Sequence, residues 1–282
     1  MKFKFFQKII ILLIVIAFVF GFNYYFFLPS PKQEVAVNPS GQPQIKVGEE
    51  EPASSADKLV EQINLTTASD VETLKKKVYL EVPFAPQAPY AVWDELHNEA
   101  CEEAVLIMAK YWLENEKLTP EKMEKEILNS VVWQEKKWGG HFDLPIEKMK
   151  EMAEEYFGIN KVKVVYNFES LEEIKKELSQ EKIVIVPCAG RLLSNPYYRQ
   201  PGPVYHMLLI KGFDGKEKGI ITNDPGTKKG KDFRFSSENL FSSIYDWPAG
   251  LGRPLEFGQK IQKDEAAEII LKGQKAMLII EK

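Results

Sequence analysis

The sequence predicts an α+β fold in which helices pack on a mostly antiparallel sheet. Three observations predict it. Helical periodicity dominates the middle of the chain up to about residue 157, apolar strand-like runs dominate beyond it, and two of those runs flank an Asp214-Gly215 turn. Helices gathered ahead of strands indicate segregated α and β layers. With 282 residues, 44% of them hydrophobic, the chain can build one or two domains with a proper core.

Each element has a local cause. Val78-Tyr79-Leu80-Glu81-Val82-Pro83 reads as a short strand ended by proline. A helix is predicted over about 99–116, with Asn98 as N-cap and Glu99, Glu102 and Glu103 in the first turns, where carboxylates complement the helix dipole. Ala104, Val105, Met108, Ala109 and Trp112 form its apolar stripe, widened by Ile107 and Tyr111, so this helix should be central and buried. Thr119-Pro120 starts a second helix, about 120–132, and a third follows over about 145–157. Residues 161–165 read as a strand. The helix over 170–178 has Ser170 as cap and Glu173 at the capping-box position. Residues 183–188 form a buried strand, 205–213 and 219–223 a strand pair, 236–243 a helix and 276–280 the last strand.

The N-terminal third is organised differently. Lys2, Lys4 and Lys8 precede an uncharged run of twenty residues, 9–28. At ~1.5 Å per residue such a helix spans roughly 30 Å, the thickness of a bilayer's hydrocarbon. The lysines predict a cytoplasmic N-terminus, and Tyr24, Tyr25, Phe26 and Phe27 suit the far interface. The expectation is therefore an anchor over 1–28 that engages the lipid bilayer through 9–28. The protein would be a single-pass protein of the cell membrane with its domain extracytoplasmic, or a secreted one if the segment is cleaved. Residues 29–76 are rich in Pro, Gly, Ser and Gln and read as an extended tether, with a short helix near 57–77. The globular domain is expected over 77–282.

Composition narrows the function. A formal net charge of −4 argues against a nucleic-acid partner. Two cysteines, Cys101 and Cys188, are too few for a disulfide framework. Cys101 stands at the first turn of the predicted central helix, where unpaired N–H groups and the dipole favour a thiolate. It also lies on the apolar stripe, so a buried, inert thiol is the competing reading. His206 and Asp224 lie nine residues either side of Gly215, and a hairpin centred there would set them opposite each other. An imidazole and a carboxylate so placed can hydrogen-bond, fixing the ring's tautomer. A strand-end histidine and a plain Asp224-Pro225-Gly226 turn are the alternatives. His97 and His141 compete for the base role but read as structural. A zinc site drawn from His97, Cys101, Cys188 and His206 has no recognised ligand spacing. Cys188 reads as packing. The stretch 189–204 is long for a connection and reads as a substrate-facing lid or a plain surface excursion.

Val82-Pro83-Phe84-Ala85-Pro86-Gln87, Trp93-Asp94, Asn98-Glu99-Ala100-Cys101 and Met108 resemble the C39-like peptidase family of the papain-like cysteine peptidase superfamily. Tyr205-His206-Met207-Leu208-Leu209-Ile210-Lys211-Gly212-Phe213-Asp214 and Thr222-Asn223-Asp224-Pro225-Gly226 resemble its histidine and aspartate blocks. The resemblance covers about 78–250. It implies a papain-like fold, a peptide or protein substrate, and no metal or organic cofactor. It implies Cys101 as nucleophile, His206 as base, Asp224 as its orienter and Gln87 as an oxyanion donor. One position departs: Glu102-Glu103 follow Cys101 where related sequences commonly carry glycine, and carboxylates oppose thiol ionisation. The sequence reading is thus a cysteine peptidase or amide hydrolase working through a thioester. The rivals are a silent peptide-binding or cell-surface module and an amidase or acyltransferase acting on cell-wall material.

Overall fold

The computed structural model describes residues 75–215, 219–248 and 263–282. The anchor over 9–28 and nearly all of the tether lie outside the described residues. Within them, no helix is long and apolar enough to cross a membrane.

The described elements run in the order β1 (Lys77–Tyr79), α1 (Glu95–Asn98), α2 (Cys101–Leu113), α3 (Pro120–Trp138), α4 (Ile146–Glu155), β2 (Val162–Tyr166), α5 (Leu171–Ser179) and β3 (Ile183–Ala189). A 3₁₀ turn (Gly190–Leu193) follows, then β4 (Tyr205–Asp214), β5 (Gly219–Asn223), β6 (Phe233–Ser236), α6 (Ser237–Ser243), α7 (Lys263–Ile270) and β7 (Ala276–Ile280). The strands join in one sheet of order β2-β7-β3-β4-β5-β6, with β1 added to β4. Every described pairing is antiparallel. The α+β class with an antiparallel sheet is therefore what the chain adopts.

Side-chain alternation sorts the sheet's two faces. Ile183, Ile185, Tyr205, Met207, Leu209 and Leu278 join one core with residues of α2, α3 and α4. Val184, Val186, Cys188, Leu208 and Ile210 join the other with Ile174 and Leu178 of α5 and Leu240 of α6. Both faces of β3 and β4 are thus covered, which explains why their sequences read as unbroken apolar runs rather than alternating ones. Proline is tolerated inside β3 for a definable reason. Pro187 stands opposite Met207, and its carbonyl accepts the N–H of Tyr245 instead of bonding β4. This is a pair that exchanges no hydrogen bonds, so the missing N–H costs no bond to β4.

Helix starts fall within about a residue of where the sequence places them, with one exception. Thr119 Oγ1 accepts the N–H of Lys122 and opens α3, and Gly139 closes it in the left-handed region at φ 83. Ser170 precedes α5 as expected but makes no side-chain cap; Glu173 instead accepts the N–H of Glu169. The exception is Asn98. Asp94 caps a short earlier helix, α1, by accepting the N–H of His97, and Asn98 is that helix's last residue. The central helix α2 then begins at Cys101 behind Ala100, which offers no capping side chain.

Candidate active site

The site forms where the sheet is incomplete. β4 runs to Asp214 from Tyr205, but β5 pairs with it only back to Leu209, opposite Asn223. Residues 205–208 therefore keep β3 on one edge and no strand on the other among the described residues. Because Met207 and Pro187 exchange no hydrogen bonds, the Met207 N–H points off that open edge. Cys101, at the start of α2, stands near enough for the Met207 N–H to favour its thiolate. The thiol thus lies near the backbone of the residue that follows His206.

His206 and Asp224 meet by a route other than the one expected. Pairing of Asp214 with Gly219 shifts the hairpin centre beyond Gly215, and a bulge between Ile210 and Gly212 shifts the register once more. His206 is therefore not directly opposite Asp224. The contact arises because Asp224 lies just past the end of β5, where the chain turns back over β4. His206 Nε2 bonds Asp224 Oδ1 at 2.8 Å, with both side chains buried. The ring's close neighbours are fixed: Tyr198 meets it edge-on with centroids 5.4 Å apart. A Cβ on Gly226 would lie 2.8 Å from His206 Cε1, so only glycine lets the turn approach this closely.

Gln87 is delivered to the same region by a backbone bond from its N–H to Pro225 O at 3.0 Å. Its side chain is buried, and Nε2 donates to the carbonyls of His97 at 2.8 Å and Asn98 at 3.1 Å. Both amide hydrogens are thereby engaged, and Oε1 has no partner. Gln87 braces the chain entering α2.

The thiol's environment reverses the dipole-based expectation. Cys101 is 3% exposed, and its thiol donates to Glu102 Oε2 at 3.0 Å. Burial first, then the nearby Glu102 and Asp143 carboxyls, push the thiol well above its ordinary value, against the opposing Met207 N–H. A helix terminus stabilises an anion by at most ~2 kcal/mol, too little to offset desolvation beside other acids. Glu102 itself is fully buried; burial and the adjacent Glu103 raise it to about 8. Its second oxygen accepts the Leu144 N–H at 3.0 Å, tying α2 to the chain that enters α4. Asp143 is likewise pushed well up by burial and by Glu102. Glu103 turns the other way, accepting from Gln134 Nε2 of α3 and lying 3.2 Å from His141 Nε2 as an ion pair without hydrogen-bond alignment. The side chain that Sγ hydrogen-bonds is thus Glu102 and not His206.

The remaining residues singled out in the sequence separate clearly. His97 bridges Asp94 at 2.7 Å and Glu124 at 3.0 Å, a tie between α1 and α3. Cys188 is fully buried on β3 opposite His206, and burial, then Asp224, raises its thiol far out of reach of ionisation. Among the described residues no three His, Cys, Asp or Glu side chains are grouped to hold a metal. The loop between β3 and β4 presents exposed Leu192 and Tyr197 but buries Asn195 and Tyr198. These last two reach Asp224, a contact that the sequence analysis did not anticipate. The only sequence signal was a polar-aromatic Asn195-Pro196-Tyr197-Tyr198 run in a long connection.

The model of the Peptidase_C39 like family matches residues 79–247, more than half of the chain. The chain belongs to this family. Gln87, Cys101, His206 and Asp224 all fall inside the matched span. This C39-like chain is also similar to a solved structure from Bacillus anthracis, provisionally named a C39-like peptidase. That similarity has 13% identity and a TM-score of 0.44, over 74% of this chain and 99% of that one. No curated protein matches it.

Proposed function

We propose that this C39-like domain is a cysteine peptidase or closely related amide hydrolase, with Cys101, His206 and Asp224 as its working residues. The observation that carries the reading is the buried His206–Asp224 hydrogen bond, with Cys101 near the backbone of the next residue, Met207. With Nε2–H donated to Asp224 Oδ1, the neutral ring keeps its lone pair on Nδ1, the form a general base needs. In the reaction the thiol exchanges Glu102 for this nitrogen, and Sγ attacks the substrate carbonyl. The tetrahedral adduct collapses to a thioester while His206 returns the proton to the leaving amine. Water then releases the acid. The Cys101 backbone N–H, which at the first position of α2 has no intrahelical acceptor, is suited to the oxyanion. Gln87 serves as the second donor once one amide hydrogen leaves His97 O or Asn98 O. Such a donor lowers the barrier by ~3 kcal/mol.

The substrate is a peptide or protein, and the domain works outside the cytoplasmic membrane, held there through 9–28. A second reading is favoured by one observation: the thiol is bonded to a carboxylate and pushed up by burial. A silent binding module that keeps the cleft would look the same. Digestion of a peptide library by the full chain and by Cys101→Ala separates the two. Cleavage that disappears in Cys101→Ala supports the hydrolase. Binding of peptides without cleavage in either protein supports the module.

A further inference from the structure

The loop between β3 and β4 does more than cross the surface. It carries Asn195 and Tyr198, both buried, to Asp224, which is fully buried. Asn195 Nδ2 donates to Asp224 Oδ2 at 2.8 Å, and Tyr198 Oη donates to the same oxygen at 2.6 Å. The other oxygen, Oδ1, takes His206 Nε2 at 2.8 Å and the Gly226 N–H at 2.9 Å. Four donors from three chain segments thus saturate one carboxylate.

The donors' own positions are fixed locally. Asn195 Oδ1 accepts the N–H of Tyr197 at 3.0 Å, and Asn195 O accepts the N–H of Tyr198 at 3.2 Å. Because the amide oxygen is engaged by an N–H, the amide nitrogen must face Asp224, which settles the side chain's orientation. Ser194, in the left-handed region at φ 52, turns the chain into this tight segment. Tyr198 also touches the histidine directly through its edge-on ring.

We infer that Asn195 and Tyr198 are positioning residues that hold Asp224 against His206. The inference rests on the reading of His206 as the site's base. Two donors on Oδ2 stop the carboxylate from rotating about its Cβ–Cγ bond, so Oδ1 stays on Nε2 and the ring keeps one tautomer and one direction. With both donors removed, Oδ2 is a buried oxygen without a partner, and the carboxylate turns to find one. The loop's inward side chains serve the proton-transfer machinery, while its exposed Leu192 and Tyr197 are left on the outer side.

The test uses Tyr198→Phe, Asn195→Ala and the double variant, each also made in a Cys101→Ala background of the full chain. The readout independent of catalysis is the His206 imidazole N–H in ¹⁵N-labelled Cys101→Ala protein, assigned by its loss in His206→Gln. A downfield, slowly exchanging signal is expected in the parent, weaker in Tyr198→Phe and lost to exchange in the double variant. In the active chain, kcat is expected to fall about tenfold for Tyr198→Phe and about 100-fold for the double variant, with KM within about twofold. Tyr198→Phe keeps the ring and its packing, so it remains informative if the double variant does not fold. A signal and kcat unchanged in Tyr198→Phe, or no protected N–H in the parent, overturns the inference. If the wild-type chain cleaves nothing, the hydrolase reading fails, and the N–H signal still decides this one.

Discussion

Cys101 Sγ lies 3.0 Å from Glu102 Oε2, so the proposed nucleophile hands its hydrogen to the side chain of the next residue. The contact is sealed from water on both sides. It makes Glu102 the first group whose charge the thiol feels after the cost of burial itself.

Glu102→Gln should therefore free the thiol. At pH 9, above the Glu102 value of about 8, the carboxyl is ionised and opposes the thiolate. Glutamine keeps an acceptor for the Leu144 N–H and carries no charge. Alkylation of Cys101 by iodoacetamide at pH 9, followed by mass spectrometry, should accelerate about tenfold, the equivalent of one pKa unit. Cys188 should stay slow in both proteins and serves as the internal reference. An unchanged or slower Cys101 would show that Glu102 does not restrain it.

Stability should depend on the same carboxyl. Burial raises Glu102 from an ordinary 4.5 to about 8 in the fold, so across that window the native state holds a proton that the unfolded chain has released. Stability from this group is present below about pH 4.5 and is lost as pH rises toward 8. Asp246, raised by burial to about 6, adds to the trend between about pH 4 and 6. The Tm advantage of Glu102→Gln over wild type should grow from pH 5 to pH 8.5. A growth of ~2–4 °C is expected for each kcal/mol of the buried charge's cost. A gap that stays constant with pH would place the Glu102 proton outside the folding equilibrium.

Gly226→Ala should displace the histidine without unfolding the domain. The added Cβ would meet His206 Cε1 at 2.8 Å, Nε2 at 3.1 Å and Tyr198 Cε1 at 3.2 Å. The expected result is a loss of hydrolysis of at least about tenfold, since ring misplacement of about 1 Å is costly to proton transfer. Circular dichroism should be unchanged. Full activity in the variant would mean that the ring's present position is not the working one.

Gln87→Ala separates two roles. Losing the amide leaves the carbonyls of His97 and Asn98 without this donor in a buried place, a cost of ~1–3 kcal/mol. A drop in Tm is expected in any case. If Gln87 also serves the oxyanion, kcat should fall ~10²–10³-fold at temperatures where the variant is fully folded. A lowered Tm with kcat intact would confine Gln87 to bracing the helix.

The fold's outline was legible because its signals are local. Thr119-Pro120, the apolar run of β3 and the segment 276–280 each carry their periodicity or cap on their face. Asn98 misled because Asp94, four residues earlier, offers an equally good cap, and nothing local decides between them. The short β6 and α7 went unread, since four and eight residues hold too little pattern. The site was legible as a set of residue types and less so as an environment. A hairpin centred on Gly215 puts His206 and Asp224 together on paper; the bulge after Ile210 cannot be seen in the sequence. The thiol's surroundings depend on Glu102 and Asp143 turning inward, which follows from how α2 meets the chain before α4, a tertiary fact.

The five-residue length of β5 has a consequence for how this domain can change. The residues that would lengthen β5 along β4 are Asp224 and Pro225, and pairing them would straighten the turn that brings Asp224 back, while Pro225, having no N–H, could offer Met207 only its carbonyl. A longer β5 would therefore carry Asp224 away from His206, so the early end of this strand is what lets the buried carboxylate and imidazole meet.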